Sequence, residues 1–196
     1  SIDGNIVELL IGDEAATRGD LFISFRDSNT VFITSNNLKT EAEKTLFNLR
    51  DKKIAHYDKD EVNRIELATK DVTIIIEKSG EEWSMTSPDL PVEVSRVNSY
   101  LNSLTNYSAK EFVAEEFDNP SQYGFDAPEA KLTLSLGEEK ATKELVIGKA
   151  VEDGDDTNYY AYESGRAPVF TVRESNKNNV VRDPFYFQDK KLAQYN

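Results

Sequence analysis

Leu49-Arg50-Asp51-Lys52-Lys53-Ile54-Ala55-His56-Tyr57-Asp58 is echoed at the end of the chain by Phe187-Gln188-Asp189-Lys190-Lys191-Leu192-Ala193-Gln194-Tyr195-Asn196. Asp-Lys-Lys, an apolar pair and a tyrosine recur in the same order, so the chain contains a repeat. Working backwards from each echo gives the same succession. Glu8-Leu9-Leu10-Ile11-Gly12 answers Glu144-Leu145-Val146-Ile147-Gly148, Leu21 to Phe25 answers Tyr159 to Tyr162, and Val31 to Thr34 answers Val169 to Val172. The offset is 136 residues from Leu9 to Leu145 and 138 from Leu21 to Tyr159. A two-residue insertion at Asp153-Gly154-Asp155-Asp156 accounts for the drift. The echo therefore closes a unit: residues 1–57 read as the C-terminal part of a first repeat, with three strands and a helix, and residues 58–196 as a complete second one. The Asp-Lys-Lys stretch reads as a structural clasp between units.

Hydrophobic period assigns the elements. Ile6 to Ile11 reads as a buried strand closed by Gly12, and Leu21 to Phe25 with Val31 to Thr34 as an antiparallel hairpin turning at Arg26-Asp27-Ser28-Asn29. Leu38, Ala42, Leu46 and Leu49 fall at helical spacing and predict an amphipathic helix from about 40 to 48. In the second copy Asn176 to Asn179 are poor helix formers and Pro184 is expected to stop any helix before it. Between the copies, Val62 to Leu67, Val72 to Glu77 and Trp83 to Thr86 predict a three-stranded meander, ended by Pro88 and Pro91, with Trp83 in the core. Val94, Val97, Leu101 and Leu104 predict a helix from about 93 to 106. Glu111 to Ala114 reads as a short strand. Lys131 to Leu136 and Thr142 to Ile147 pair as a hairpin across Gly137-Glu138-Glu139-Lys140. The fold class is α+β, mostly antiparallel sheets with a few amphipathic helices and an internal sequence repeat.

Composition excludes several classes. The chain is 38% hydrophobic and 10% aromatic, which supports a folded core in place of acidic disorder. A net charge of -13 without a basic stripe repels phosphate backbones and anionic lipid, so no nucleic-acid partner is expected. The absence of cysteine removes disulfides, thiolate nucleophiles and thiolate metal sites. Apolar runs such as Val72 to Ile76 are far short of the ~20 residues that cross a bilayer. The start at Ser1, without Met and almost directly before a strand-like segment, leads to the expectation of an excised fragment whose signal or anchor has been left out.

Several features together resemble a known bacterial family, the domain of unknown function 4340. They are Trp83 with Thr86-Ser87-Pro88, Val97-Asn98-Ser99-Tyr100-Leu101, the loop Tyr123-Gly124-Phe125-Asp126-Ala127-Pro128, Ile147-Gly148, the pair Tyr159-Tyr160, and Asp189-Lys190. The resemblance covers about Asp58 to Asn196 as one unit, with Ser1 to Tyr57 as the tail of another. It departs from the family at Phe125, where Leu is common, and at Gln188, where Arg is common, although the first copy keeps Arg50. The resemblance implies a membrane-anchored bacterial protein with a large extracytoplasmic part, often associated with ABC-type transport systems that resemble gliding-motility auxiliary components. It implies no activity, and no residue role common to both copies.

The residues themselves present no recognisable catalytic constellation. His56, the only histidine, has Asp58 and Asp60 near it in sequence, but a general base needs a nucleophile and no signature for one exists. It reads as a surface or linker histidine. Glu152 to Asp156 lacks the spacing of a calcium loop and reads as a solvated hairpin loop. Glu115, Glu116 and Asp118 are too close along one strand to serve as a glycosidase pair by themselves. Tyr123 to Pro128 reads as a structural turn. The aromatic residues of the second copy carry the candidate interaction surface, Tyr159, Tyr160, Tyr162 and Tyr186, with Tyr160 and Tyr162 on one face and Tyr159 on the other. No catalytic residue, cofactor or metal ligand is assigned.

The expectation is a non-enzymatic extracytoplasmic interaction module, anchored to the membrane through a segment outside this chain, with a protein partner in the cell envelope. The alternative is a small-ligand or glycan site on the tyrosine-rich face, and after it a carboxylate-only hydrolase.

Overall fold

Three strands, β1 (Leu9–Glu14), β2 (Asp20–Phe25) and β3 (Val31–Ser35), form an antiparallel sheet in the first of two units of the computed structural model, Ser1–Arg50. The structure describes residues 6–16, 19–116, 119–137 and 141–190. Asp118, the turn residues 138–140, and residues 191–196 of the terminal echo, including Lys191 and Gln194, lie outside the described residues.

Two expectations for this unit change. β1 starts at Leu9 and runs through Gly12, because the ladder to β2 shifts between Ile11 and Glu14 and that irregularity absorbs the glycine. The strand is largely exposed, with Leu9 and Ile11 half-buried. The single helix expected from 40 to 48 is two short ones, α1 (Asn37–Ala42) and α2 (Leu46–Leu49). Thr45 between them is extended, and its backbone N–H donates to Asn48 Oδ1 at 2.9 Å in a capping box, which ends one helix and starts the next.

The second unit, Asp51–Asn196, carries the meander as read. Its strands are β4 (Val62–Thr69), β5 (Thr73–Ser79), β6 (Glu82–Ser87), the two-residue β7 (Asp89–Leu90), β8 (Glu111–Ala114), β9 (Ala130–Leu136), β10 (Ala141–Asp153), β11 (Asp156–Glu163) and β12 (Val169–Arg173). Among the described residues they form one antiparallel sheet in the order β7-β6-β5-β4-β9-β10-β11-β12-β8. Alternation sets the buried side: Ile65 and Leu67 of β4, Ile74 and Ile76 of β5, Met85 of β6, and Leu132 and Leu134 of β9 all point to one core.

Helix α3 (Val94–Leu104) covers that side. Its buried stripe of Val97, Tyr100, Leu101 and Leu104 joins the cluster that holds Trp83, Leu145, Ile147, Phe170 and Phe187. Each such large apolar side chain contributes about 1.5–3 kcal/mol on burial. Tyr100 O–H donates to Val180 O at 2.7 Å, so the one polar atom of a fully buried ring is satisfied.

The polar stretch after β12 is helical after all, α4 (Glu174–Val180), followed by α5 (Pro184–Phe187). Weak propensity over Asn176 to Asn179 yields to the buried Val180 and the Tyr100 bond at the helix end. Pro184 starts a helix instead of stopping one: it occupies the first turn, where no N–H is needed, and Asp183 Oδ1 accepts from Tyr186 N–H at 3.0 Å.

The repeat is a repeat of register. Leu9 faces Phe25, Leu10 faces Ser24 and Ile11 faces Ile23, while Leu145 faces Glu163, Val146 faces Tyr162 and Ile147 faces Ala161. Both ladders then slip at the glycine and resume with Glu14 opposite Leu21 and Ala150 opposite Tyr159. β2–β3 and β11–β12 also match pair for pair, from Leu21 with Thr34 to Tyr159 with Val172. Even the closing bond is kept, Arg26 N–H to Glu8 O at 3.0 Å and Ser164 N–H to Glu144 O at 2.8 Å.

Candidate functional site

Residues 51–57 form a strap within the second unit. Ala109 N–H donates to Lys52 O at 2.7 Å and Ile54 N–H to Tyr107 O at 3.1 Å, while the Ile54 side chain is fully buried. Tyr57 O–H reaches α3, donating to Leu101 O at 2.6 Å. Burial pushes the Tyr57 and Tyr100 hydroxyls well above the usual phenol range.

A polar tie fastens this strap. Glu163, at the end of β11 and only 2% exposed, accepts from His56 backbone N–H at 2.5 Å through Oε1 and meets His56 Nδ1 at 2.7 Å through Oε2. His56 Nε2 lies 2.9 Å from Asp51 Oδ2. Gly165, with φ of +80°, turns the chain so that Arg166 comes back over the tie. Arg166 donates to Lys53 O at 2.6 Å and Asp51 O at 3.0 Å, and its Nη1 is 3.5 Å from Glu163 Oε2. The Lys53 N–H and then the His56 ring hold the Asp51 carboxyl below the usual carboxylate range.

Both ring nitrogens of His56 face carboxylates, so neither is open to a substrate proton. The arrangement fastens the chain. The sequence neighbours Asp58 and Asp60 take no part: Asp58 caps the 3-10 turn Lys59–Glu61 by accepting from Asp60 N–H at 3.0 Å. His56, read as a surface or linker histidine, is half-buried and holds the strap through both ring nitrogens. The sequence carries no local signal for Glu163 and Arg166, because their partners are more than a hundred residues away.

The four candidate tyrosines are all half-buried and fall at three places. Tyr160 and Tyr162 share a face as alternation requires, and the loop after the 3-10 turn Pro120–Tyr123 lies on them. Tyr123 meets Tyr160 edge to face at 5.2 Å between centroids, and Phe125 meets Tyr162 at 4.8 Å. The loop fits because of two glycines. A Cβ on Gly148 would stand 2.1 Å from Tyr123 O, and one on Gly124, whose φ is +77°, 2.7 Å from Lys149 N. Tyr159 is on the opposite side under the Lys177 ammonium, 4.9 Å from its ring centroid. Tyr186 packs against Tyr100 and Phe187, with the Arg182 guanidinium 4.6 Å from its centroid.

The acidic hairpin Glu152 to Asp156 is exposed, and Lys110 Nζ lies 2.9 Å from Asp153 and 3.7 Å from Asp156. Pairing with Asp153 raises the Lys110 ammonium above its ordinary value. Beside it a cleft of about 300 Å³ is lined by Glu111, Phe112, Asn158, Tyr160 and Thr171, among others. The buried Asn158 Oδ1 has no hydrogen-bond partner among the described residues. No described helix is long and apolar enough to cross a membrane. Glu115 and Glu116 are exposed beyond the end of β8.

The family model described as domain of unknown function, DUF4340, matches residues 2–89 and again residues 83–196, and the chain belongs to that family. No curated protein and no solved structure matches it.

Proposed function

We propose that this DUF4340 chain is a non-enzymatic interaction module that stands outside the cytoplasm in a membrane-anchored bacterial protein. Its partner is a protein of the cell envelope, in an ABC-type transport or gliding-motility-like assembly. The observation that carries the contact function is the apolar surface of the first unit. Val31, Phe32 and Ile33 are successive residues of β3 and are 62%, 44% and 59% exposed, with Phe22, Phe25 and Leu10 exposed on the neighbouring strands. Successive strand residues point to opposite faces, so both faces of this sheet offer apolar side chains to a partner. The polar groups of the strap, by contrast, are committed to one another. The cellular setting rests on the family resemblance, and the strong negative charge suits a surface that avoids anionic lipid.

The test is crosslinked affinity purification of the full-length protein from membranes, with a photo-crosslinker at Ile33. Recovery of a transporter or envelope component joined at that residue is the expected result. Recovery of none removes the proposal.

A second reading has its own observation. The cleft beside Tyr160 offers an aromatic ring, Thr171 and Glu111, and is lined also by Asn158, whose buried Oδ1 has no partner among the described residues; this suits a small glycan. Titration with a set of envelope saccharides, followed by the amide resonances of Asn158 and Thr171, separates the two: unmoved resonances dispose of the glycan.

A further inference from the structure

We propose that the sheet of the first unit is a socket for a half-repeat of its own family. The occupant is a polypeptide with the pattern of residues 58–136, which lays a strand along the free edge of β1, an amphipathic helix over the apolar face and a Tyr-Gly-Phe turn over Gly12. This rests on the interaction-module reading and names the partner of that surface.

The second unit shows the socket filled. β10–β11–β12 has the register of β1–β2–β3, slip included, and β9 pairs along the edge of β10 from Ala141 to Ile147. Among the described residues β1 pairs with β2 alone. The helix α3 then buries what the first unit leaves open. Phe170 is fully buried and its counterpart Phe32 is 44% exposed; Phe187 is 1% exposed and its counterpart Leu49 72%. Equivalent positions of the repeat, opposite exposure: the difference is the presence of the half-repeat.

Gly12 supplies an independent argument. In the second unit the glycine at this slip is required, since the Tyr123–Phe125 loop occupies the space of a Cβ on Gly148. In the first unit a Cβ on Gly12 meets nothing nearer than Phe22 O at 3.4 Å, so the described residues give the glycine no steric reason. A turn like Tyr123-Gly124-Phe125 landing there gives it one. Charge agrees in part. Glu144 of β10 is met across the ladder by Lys131 of β9 at 2.7 Å; on the first unit its counterpart Glu8 is already paired with Arg26, and the acids that follow it along the edge are Asp13 and Glu14. A strand carrying lysine, as β9 does, complements these.

The experiment joins a second copy of residues 58–140 directly to Asn5, which reproduces the spacing from β9 to β10. Hydrophobic-dye fluorescence and amide hydrogen exchange at Leu9 to Ile11 and Val31 to Thr34 are compared in the 196-residue chain and in the joined chain. The joined chain should bind several-fold less dye per first unit and exchange those amides about tenfold or more slowly. Gly12→Leu should reverse both effects there and leave both readings of the 196-residue chain unchanged. A joined chain whose β1 and β3 amides exchange as fast as before overturns the proposal. So does concentration-dependent dimerisation of the 196-residue chain that removes dye binding, since a second copy would then be the occupant. Neither readout depends on membranes, so the outcome is separate from that of the crosslinking purification.

Discussion

Glu163 holds His56 at two points, the backbone N–H at 2.5 Å and ring Nδ1 at 2.7 Å, and so ties the strap to the end of β11 across 107 residues of sequence. A carboxylate that is 2% exposed depends on such partners, because an unsatisfied buried acceptor costs its full desolvation.

His56→Ala should therefore destabilise the second unit by about 1–3 kcal/mol in urea unfolding. Glu163→Gln should cost a comparable amount, and the double variant less than the sum, with a coupling of about 0.5–3 kcal/mol. Additive losses would mean that the two groups do not act together.

Gly148→Ala should cost about 1–3 kcal/mol or more, since its Cβ would overlap Tyr123 O and push the loop off Tyr160 and Tyr162. Gly12→Ala in the same chain should lie within about 0.5 kcal/mol of the parent. Thermal unfolding of the two variants side by side checks the contrast.

Acid should loosen the strap through Asp51. Its carboxyl is held below the usual carboxylate range, chiefly by the Lys53 N–H and then His56. The folded value is the lower one, so the stabilisation is present above about pH 3.9 and is lost as pH falls through the folded value. Asp51→Asn should thus be less stable than the parent at pH 6, with the gap closing in acid. The side chain is largely exposed, so the gap should also shrink in high salt. A gap that is independent of pH would assign the effect to something other than ionisation.

Alkali should act through Tyr57 and Tyr100, whose hydroxyls burial raises above the ordinary phenol value of 10.0. Above about pH 10 the unfolded chain loses these protons while the folded chain keeps them, so stability falls as pH rises. Tyr100→Phe should cost about 1 kcal/mol at neutral pH, from the bond to Val180 O, and should flatten the alkaline fall. An alkaline slope equal to that of the parent would refute the assignment.

Much of the fold was legible because periodicity and the echo are local or additive signals. The meander, the helix α3, the core position of Trp83 and the strand pairs of both copies follow from them. What was not legible depended on distant partners. Two short helices replaced one because Thr45 finds Asn48, and α4 formed against its propensity because Val180 is buried. Local spacing makes Pro184 a stop, and the Asp183 cap makes it a start. His56 was weighed against Asp58 and Asp60, its neighbours in sequence, while its carboxylates are Asp51 and Glu163. The glycine at Gly148 carried a hint in its repetition at Gly12, but the loop that requires it comes from a different part of the unit.

The strap also decides how this protein can be cut. An excision designed on the repeat would begin at Asp58, and the product would lack Ile54 from its core and His56 from the carboxylate of Glu163. Excision at Asp51 keeps both. In a tandem gene the period of the text and the period of the solid object are therefore out of phase by seven residues, from Asp51 to Asp58. A shuffling event that respects only the first would deliver a module with an open seam.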